Sequence, residues 1–148
     1  FSQNSESLLL CGGTGLGKTH LSLAMAYEIT QKEYGVVYTT SQKLMDQLQA
    51  QQFSRGETTD YQSLALECDL LIIDDLGAEF STSFTVAALY NIINTRIIEK
   101  KPTIINTNLD TSVMKERYGD RILSRLLCAY RPLKFYGRDI RMLKRYQK

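Results

Sequence analysis

Three groups of residues in this chain have the types and spacing for phosphate chemistry. The first is Gly12-Gly13-Thr14-Gly15-Leu16-Gly17-Lys18-Thr19, which reads G-x-x-x-x-G-K-T. Glycines there let backbone N–H groups converge on one point with no Cβ in the way. The helix that follows aims its positive N-terminal end at the same point. Lys18 is then expected to reach the β- and γ-phosphates, and the Thr19 hydroxyl to be a ligand of Mg²⁺. His20 closes the nucleotide-binding run as a packing or surface residue rather than a catalytic one. A glycine-rich turn that binds nothing is the plain alternative, but an apolar strand before it and a helical pattern after it argue for a nucleoside triphosphate site.

The second group is Asp74-Asp75, at the end of Leu70-Leu71-Ile72-Ile73. Asp74 ends a four-residue apolar run, the expected source of the carboxylate on a P-loop Mg²⁺. Alone it could be a turn former; an upstream P-loop makes it a metal residue. Two adjacent carboxylates repel, so the pair makes sense if Asp74 is held by metal while Asp75 polarises the attacking water. The third group is polar and basic. Asn108 ends the next strand and could bond the attacking water or the γ-phosphate, or simply start a turn before Leu109-Asp110. Arg121 and Arg125 lie four apart on one helical face, and Arg138 and Arg141 lie beyond the last strand. Each could be an ordinary surface arginine, but charge at a γ-phosphate has to be offset.

These groups need a frame that gathers them. Short apolar or β-branched runs at 8–10, 36–39, 70–73, 103–108 and 132–135 read as strands. Between them, helical patterns run over Leu21, Ala24, Met25 and Ile29 (closed by Gly35), after Ser41 as N-cap with Leu44, Met45 and Leu48, over 61–66, and over 84–99. In the last of these Val86, Leu89, Ile93 and Ile97 should face inward. Two more helical patches fall at about 111–117 and 119–129, and residues 53–60 read as a loop. Strands alternating with helices imply an α/β, three-layer αβα sandwich around a five-stranded parallel sheet. Ligands of such sheets bind at the carboxyl ends of the strands, where all three groups fall.

Composition narrows the class. At 148 residues the chain suits one domain, with 43% hydrophobic and 23% charged residues. No apolar run approaches the ~20 residues of a membrane span. Cys11, Cys68 and Cys128 are far apart and there is one histidine, which argues against zinc and disulfides and suits buried free thiols in a reducing cytoplasm. The net charge of +2 hides an asymmetry: residues 1–114 carry 7 basic and 13 acidic side chains, net −6, and residues 115–148 carry 11 and 3, net +8. A basic end of this kind is either a solvated tail or a contact for phosphates or acidic partners. Tyr118, Tyr130, Tyr136 and Tyr146 interleave with it; stacking on bases is one use, but core-edge packing is the expected one.

The glycine run, Leu70–Gly77 as LLIIDDLG, Thr103–Leu109 as TIINTNL, and the closing Arg121-Ile-Leu-Ser-Arg125 and Phe135-Tyr-Gly-Arg-Asp-Ile-Arg141 together resemble the DnaC/DnaI-type bacterial helicase loaders, which are AAA+ ATPases. Insertion-sequence transposition helper ATPases share much of the pattern. The resemblance runs from Leu8 to Arg141. It implies that Gly12–Thr19 is the Walker A loop, Asp74-Asp75 the Walker B pair and Asn108 the sensor-1 residue. It implies that Arg125 is an arginine finger reaching a neighbouring subunit's nucleotide, and Arg141 a sensor-2 arginine acting within its own subunit. It further implies ATP and Mg²⁺ as cofactors, a replicative helicase and single-stranded DNA as partners, head-to-tail self-association and a cytoplasmic location. Asp75 stands where most AAA+ proteins have Glu, which points to slow turnover. The 13 residues after Phe135 allow only a minimal C-terminal lid. With Phe at position 1, residues 1–148 are expected to be one AAA+ domain cut from a longer protein, its amino-terminal helicase-binding region absent. The rivals are a transposition helper acting on duplex DNA, a non-hydrolysing nucleotide switch, and a small-molecule P-loop kinase, for which no lid insertion is visible.

Overall fold

The structure, a computed structural model, describes residues 5–146; Phe1 and Lys148, which enter the expectations for the two ends, lie outside them. Strands β1 (Ser7–Gly12), β2 (Val36–Thr40), β3 (Leu70–Leu76), β4 (Thr103–Thr107) and β5 (Tyr130–Phe135) form one parallel sheet in the order β2-β3-β4-β1-β5. Helices α1 (Lys18–Thr30), α2 (Ser41–Phe53), α3 (Tyr61–Glu67), α4 (Ser83–Ile98), α5 (Thr111–Ala129) and α6 (Ile140–Arg145) connect and follow them.

Successive strand residues point to opposite faces, and both faces are covered. Leu9, Leu71, Ile73 and Ile105 pack with Leu44, Met45 and Leu48 of α2, Leu89, Ile92 and Ile93 of α4, and Met114, Ile122 and Leu126 of α5. Their neighbours Leu10, Leu70, Ile72 and Ile104 pack on the other face with Met25, Ala26 and Ile29 of α1. That is the three-layer sandwich. Each fully buried Leu or Ile contributes about 1.5–3 kcal/mol by leaving water. Pro132, which would break a central ladder, is tolerated because β5 is an edge strand.

Several expected boundaries and faces move. β3 runs on through both aspartates to Leu76, and β4 stops at Thr107. Leu21 and Ala24 of α1 are exposed; its inward row is Ser22, Met25, Ala26 and Ile29, because the glycine loop fixes the helix with Lys18 turned in. α1 ends at Thr30, and Gly35 instead donates its N–H to Asp69 at the start of the sheet edge. Thr40, not Ser41, caps α2, taking the Lys43 N–H at 3.2 Å. The two expected helical patches are both present as the two halves of α5: they meet at Gly119, whose φ of 82° lies in the left-handed region and breaks the helical run. The closing segment is not a plain tail but carries α6.

Burial separates the cysteines and tyrosines. Cys11 and Cys68 are half-buried with thiols pushed up by burial, but Cys128 is exposed, against the expectation of three buried thiols. Tyr118 and Tyr130 are buried, whereas Tyr136 and Tyr146 are solvent-exposed. Among the described residues no helix is long and apolar enough to cross a membrane.

Candidate functional site

The glycine loop leaves β1 and enters α1 as the residue types require. Gly12 has φ +148°, and a Cβ there would lie 2.5 Å from the Phe135 carbonyl oxygen, so only glycine lets the loop pass β5. Gly17, at φ 92°, occupies the N-cap of α1 with no side-chain cap. The first-turn N–H groups are therefore left for an anion. Lys18 is buried, and its ammonium donates to the carbonyls of Gly12 and Gly13, each at 2.7 Å. Burial lowers its pKa, opposed by Asp74 and Asp75, while the positive charge of Arg141 adds to the lowering.

β3 delivers the carboxylates through a bulge. Ile73 pairs with Ile105 and Leu76 with Thr107, so β3 carries one residue more than β4 across that interval. Asp75 takes up the distortion with φ 58°, a left-handed conformation uncommon outside glycine. The result turns Asp74 inward and leaves Asp75 exposed. Thr19 Oγ1 donates to Asp74 at 2.9 and 3.1 Å to its two oxygens. Tyr38 donates its hydroxyl to Asp74 Oδ2 at 2.6 Å, Asn106 its amide to Oδ1 at 2.9 Å, and Asp75 its N–H to Oδ1 at 3.0 Å. Burial, and then its bond to Asp74, push the Tyr38 phenol up to about 12.

Asn108 is the first residue beyond β4, exposed, with its side-chain amide donating to Thr14 Oγ1 at 3.1 Å. α6 begins against the loop as well: Ile140 donates its N–H to the Gly15 carbonyl at 2.9 Å. A Cβ on Gly15 would lie 2.0 Å from Asp139 Oδ1, so glycine is required there by the closing segment. Loop, β3 end, β4 end and α6 thus converge on one place.

Sequence comparison decides the family. A family model described as "IstB-like ATP binding protein" matches residues 1–141, nearly the whole chain. The chain belongs to the IstB-like ATP-binding family. It is 27% identical over 128 residues to the replicative helicase loader DnaC of Escherichia coli K12, a match covering 85% of this chain and 52% of that protein. It spans about half the length of the curated relatives it matches first. A crystal structure of the DnaC helicase loader superposes with a TM-score of 0.80 at 25% identity, over 92% of this chain and 82% of that one. AMPPCP-bound DnaA from Aquifex aeolicus gives 0.75 at 20% identity, over 97% of this chain and 47% of that one, a likeness of fold. The five-stranded parallel sheet covered by helices is the α/β fold of the AAA+ P-loop NTPases among these neighbours.

Within this IstB-like domain the remaining expected residues divide. His20 is exposed in the first turn of α1. Arg141 sits in α6 beside the loop and bonds Asp139 through its backbone N–H at 2.9 Å and its guanidinium at 3.3 and 3.5 Å. Arg125 is elsewhere. Its Nε donates to Asn94 Oδ1 at 2.8 Å, and its guanidinium carbon lies 4.6 Å from the centre of the Tyr90 ring on α4. Arg121 flanks the same ring at 5.6 Å. Among the described residues its contacts are with Asn94, Tyr90 and Arg121, on α4 and α5.

Sequence reasoning missed Tyr38, Asn106 and a buried carboxylate behind the site. Asn106 had a signal, a lone amide inside an otherwise β-branched strand. Glu79 follows Asp75 by four residues and is buried. It accepts from Ser41 Oγ at 2.6 Å, from the Gly77 N–H at 2.9 Å and from the Tyr118 hydroxyl, and pairs with Arg117 at 3.6 Å. Ser41 Oγ also lies 2.9 Å from the Asp75 carbonyl. Glu79 thereby braces the strained turn after β3 against α2 and α5.

Proposed function

We propose that this domain binds and hydrolyses Mg-ATP as the motor of a helicase loader that places a replicative helicase on single-stranded DNA. The observation that carries the reading is the Thr19–Asp74 contact beside an uncapped helix N-terminus and the buried Lys18. A hydroxyl and a carboxylate are hard oxygen donors, and Mg²⁺ takes one or two such protein groups and completes its shell with phosphate and water. Thr19 and Asp74 would hold the ion, which offsets negative charge on the phosphates when bound.

The other residues have matching tasks. Gly12 to Gly17 wrap the phosphates with backbone N–H groups while Lys18 exchanges its two carbonyl contacts for phosphate oxygens. Asp75, exposed past the bulge, accepts the proton of the attacking water. Asn108 orients that water from the end of β4. Arg141 leaves Asp139 for the γ-phosphate of its own subunit, and Arg125 presents its guanidinium to the nucleotide of a neighbour in a head-to-tail assembly. Tyr90 and Asn94 hold that side chain on the α4–α5 face. The loader reading rests on likeness to DnaC; a cytoplasmic setting and a larger parent chain go with it.

Single-turnover hydrolysis with and without single-stranded DNA tests this. Mg-dependent phosphate release that responds to single strands is expected, with Asp75→Asn slowing the chemical step on the order of 10²-fold or more while ATP still binds. Binding without turnover in the parent chain would make the domain a nucleotide switch. A response to duplex in place of single strands would make it a transposition helper.

A further inference from the structure

Asp74 is held by far more than a metal carboxylate needs. It is 7% exposed, and donors from three elements beyond its own strand converge on it: Thr19 of α1, Tyr38 of β2 and Asn106 of β4. Asn106 spends both amide hydrogens here, one on Asp74 Oδ1 and one on Ser22 Oγ at 2.9 Å. Ser22 in turn donates to the Thr19 carbonyl at 3.0 Å. Thr19 is therefore gripped twice, by its hydroxyl through Asp74 and by its backbone through Ser22, in a closed ring of hydrogen bonds that passes through Asn106.

Packing alone does not call for these side chains. Asn106 is 1% exposed and its Oδ1 has no partner among the described residues, so its amide sits in the core at a cost. A leucine, γ-branched like asparagine but bulkier, would leave no oxygen unpaired, and Ile104 and Ile105 beside it are apolar. Tyr38 is partly exposed at the sheet edge, where its hydroxyl could have faced water instead of the carboxylate.

We propose that Tyr38 and Asn106 are positioning residues for Asp74, fixing the carboxylate rotamer that takes the Thr19 proton so that the Thr19 oxygen keeps its lone pairs for Mg²⁺. The proposal rests on the reading that Thr19 and Asp74 serve the metal. With the carboxylate locked from opposite sides, Thr19 cannot turn its proton towards the ion. Freed of either clamp, Asp74 rotates towards solvent and the hydroxyl loses its fixed direction. Groups that orient metal ligands in this way typically change metal affinity 10–100-fold when removed.

The test is the Mg²⁺ dependence of binding of a fluorescent ATP analogue, titrated in EDTA and then at rising Mg²⁺, for the parent chain, Tyr38→Phe, Asn106→Leu and Asp74→Asn. Tyr38→Phe and Asn106→Leu should keep the metal-free affinity and raise the Mg²⁺ concentration for half-maximal effect by ~10-fold or more. A merely structural role would move melting temperature or metal-free affinity instead. If Asp74→Asn abolishes the Mg²⁺ response while Tyr38→Phe matches the parent or needs less Mg²⁺, the positioning role is wrong and the metal site stands. If Asp74→Asn leaves the response intact, the metal reading beneath it is wrong. Tyr38→Phe, at the sheet edge and isosteric, decides alone should Asn106→Leu not fold.

Discussion

Asn108 donates its side-chain amide to Thr14 Oγ1 across 3.1 Å, tying the end of β4 to the middle of the phosphate loop. The two residues are 94 positions apart, and the sheet order is what joins them, since β4 lies directly beside β1. In the proposed function this amide orients the attacking water. Asn108→Ala should therefore lower the single-turnover rate on the order of 10²-fold, as loss of a preorganised donor does, with nucleotide affinity little changed. Equal rates in mutant and parent would make Asn108 a turn former that happens to touch the loop.

Arg125 makes a prediction that depends on a second subunit. Its bond to Asn94 and its stacking on Tyr90 keep it on the α4–α5 face, with no contact to its own loop among the described residues. Mixing Arg125→Ala subunits with Lys18→Ala subunits should restore part of the hydrolysis that each lacks. Some junctions then pair an intact loop with an intact arginine. The rescue must grow with protein concentration, because assembly does. Hydrolysis independent of concentration, with no rescue on mixing, would return Arg125 to a helix-surface role.

Glu79 predicts a limb of the acid-stability profile. Burial alone would raise its pKa, but the bonds from Ser41 and Tyr118 and the Gly77 N–H outweigh it and hold the carboxyl below its ordinary value. A carboxyl depressed in the folded state lends stability above its unfolded pKa and loses it as pH falls through the folded one. Glu79→Gln should lower stability by about 1–3 kcal/mol at neutral pH and flatten the loss below pH ~4. Denaturant melts from neutral to acid pH check this; parallel curves for mutant and parent would remove Glu79 from the acid response.

Local patterns carried the strands, the loop and the aspartate pair, because a glycine run after an apolar strand and a carboxylate after a buried one are short-range signals. The face of α1 was less legible. Leu21 and Ala24 fit a helical stripe, yet the helix is rotated by the need to seat Lys18 and Ser22, a constraint set by the loop rather than by periodicity. Ser41 carries a capping residue's chemistry but spends its hydroxyl on Asp75 and Glu79, 34 and 38 positions away. Arg96 gave no signal either. On α4 it is wholly buried, with its guanidinium donating to the carbonyls of Ala65, Leu66, Cys68 and Pro102. Long-range polar contacts of this kind leave no period in a sequence. Tyr38 was hidden the same way, in a run that looked like ordinary strand.

The central claim is that this loop binds a triphosphate through Lys18, whose ammonium now rests 2.7 Å from the Gly12 and Gly13 carbonyls. The most direct measurement is an ATP titration in Mg²⁺ of the parent chain against Lys18→Ala, with melting curves to show that both are folded. Loss of a buried charge that contacts the β- and γ-phosphates should weaken affinity by ~10²-fold or more, the effect of removing one partner of a desolvated charge pair. A folded Lys18→Ala domain that binds ATP as tightly as the parent would contradict the account at its root.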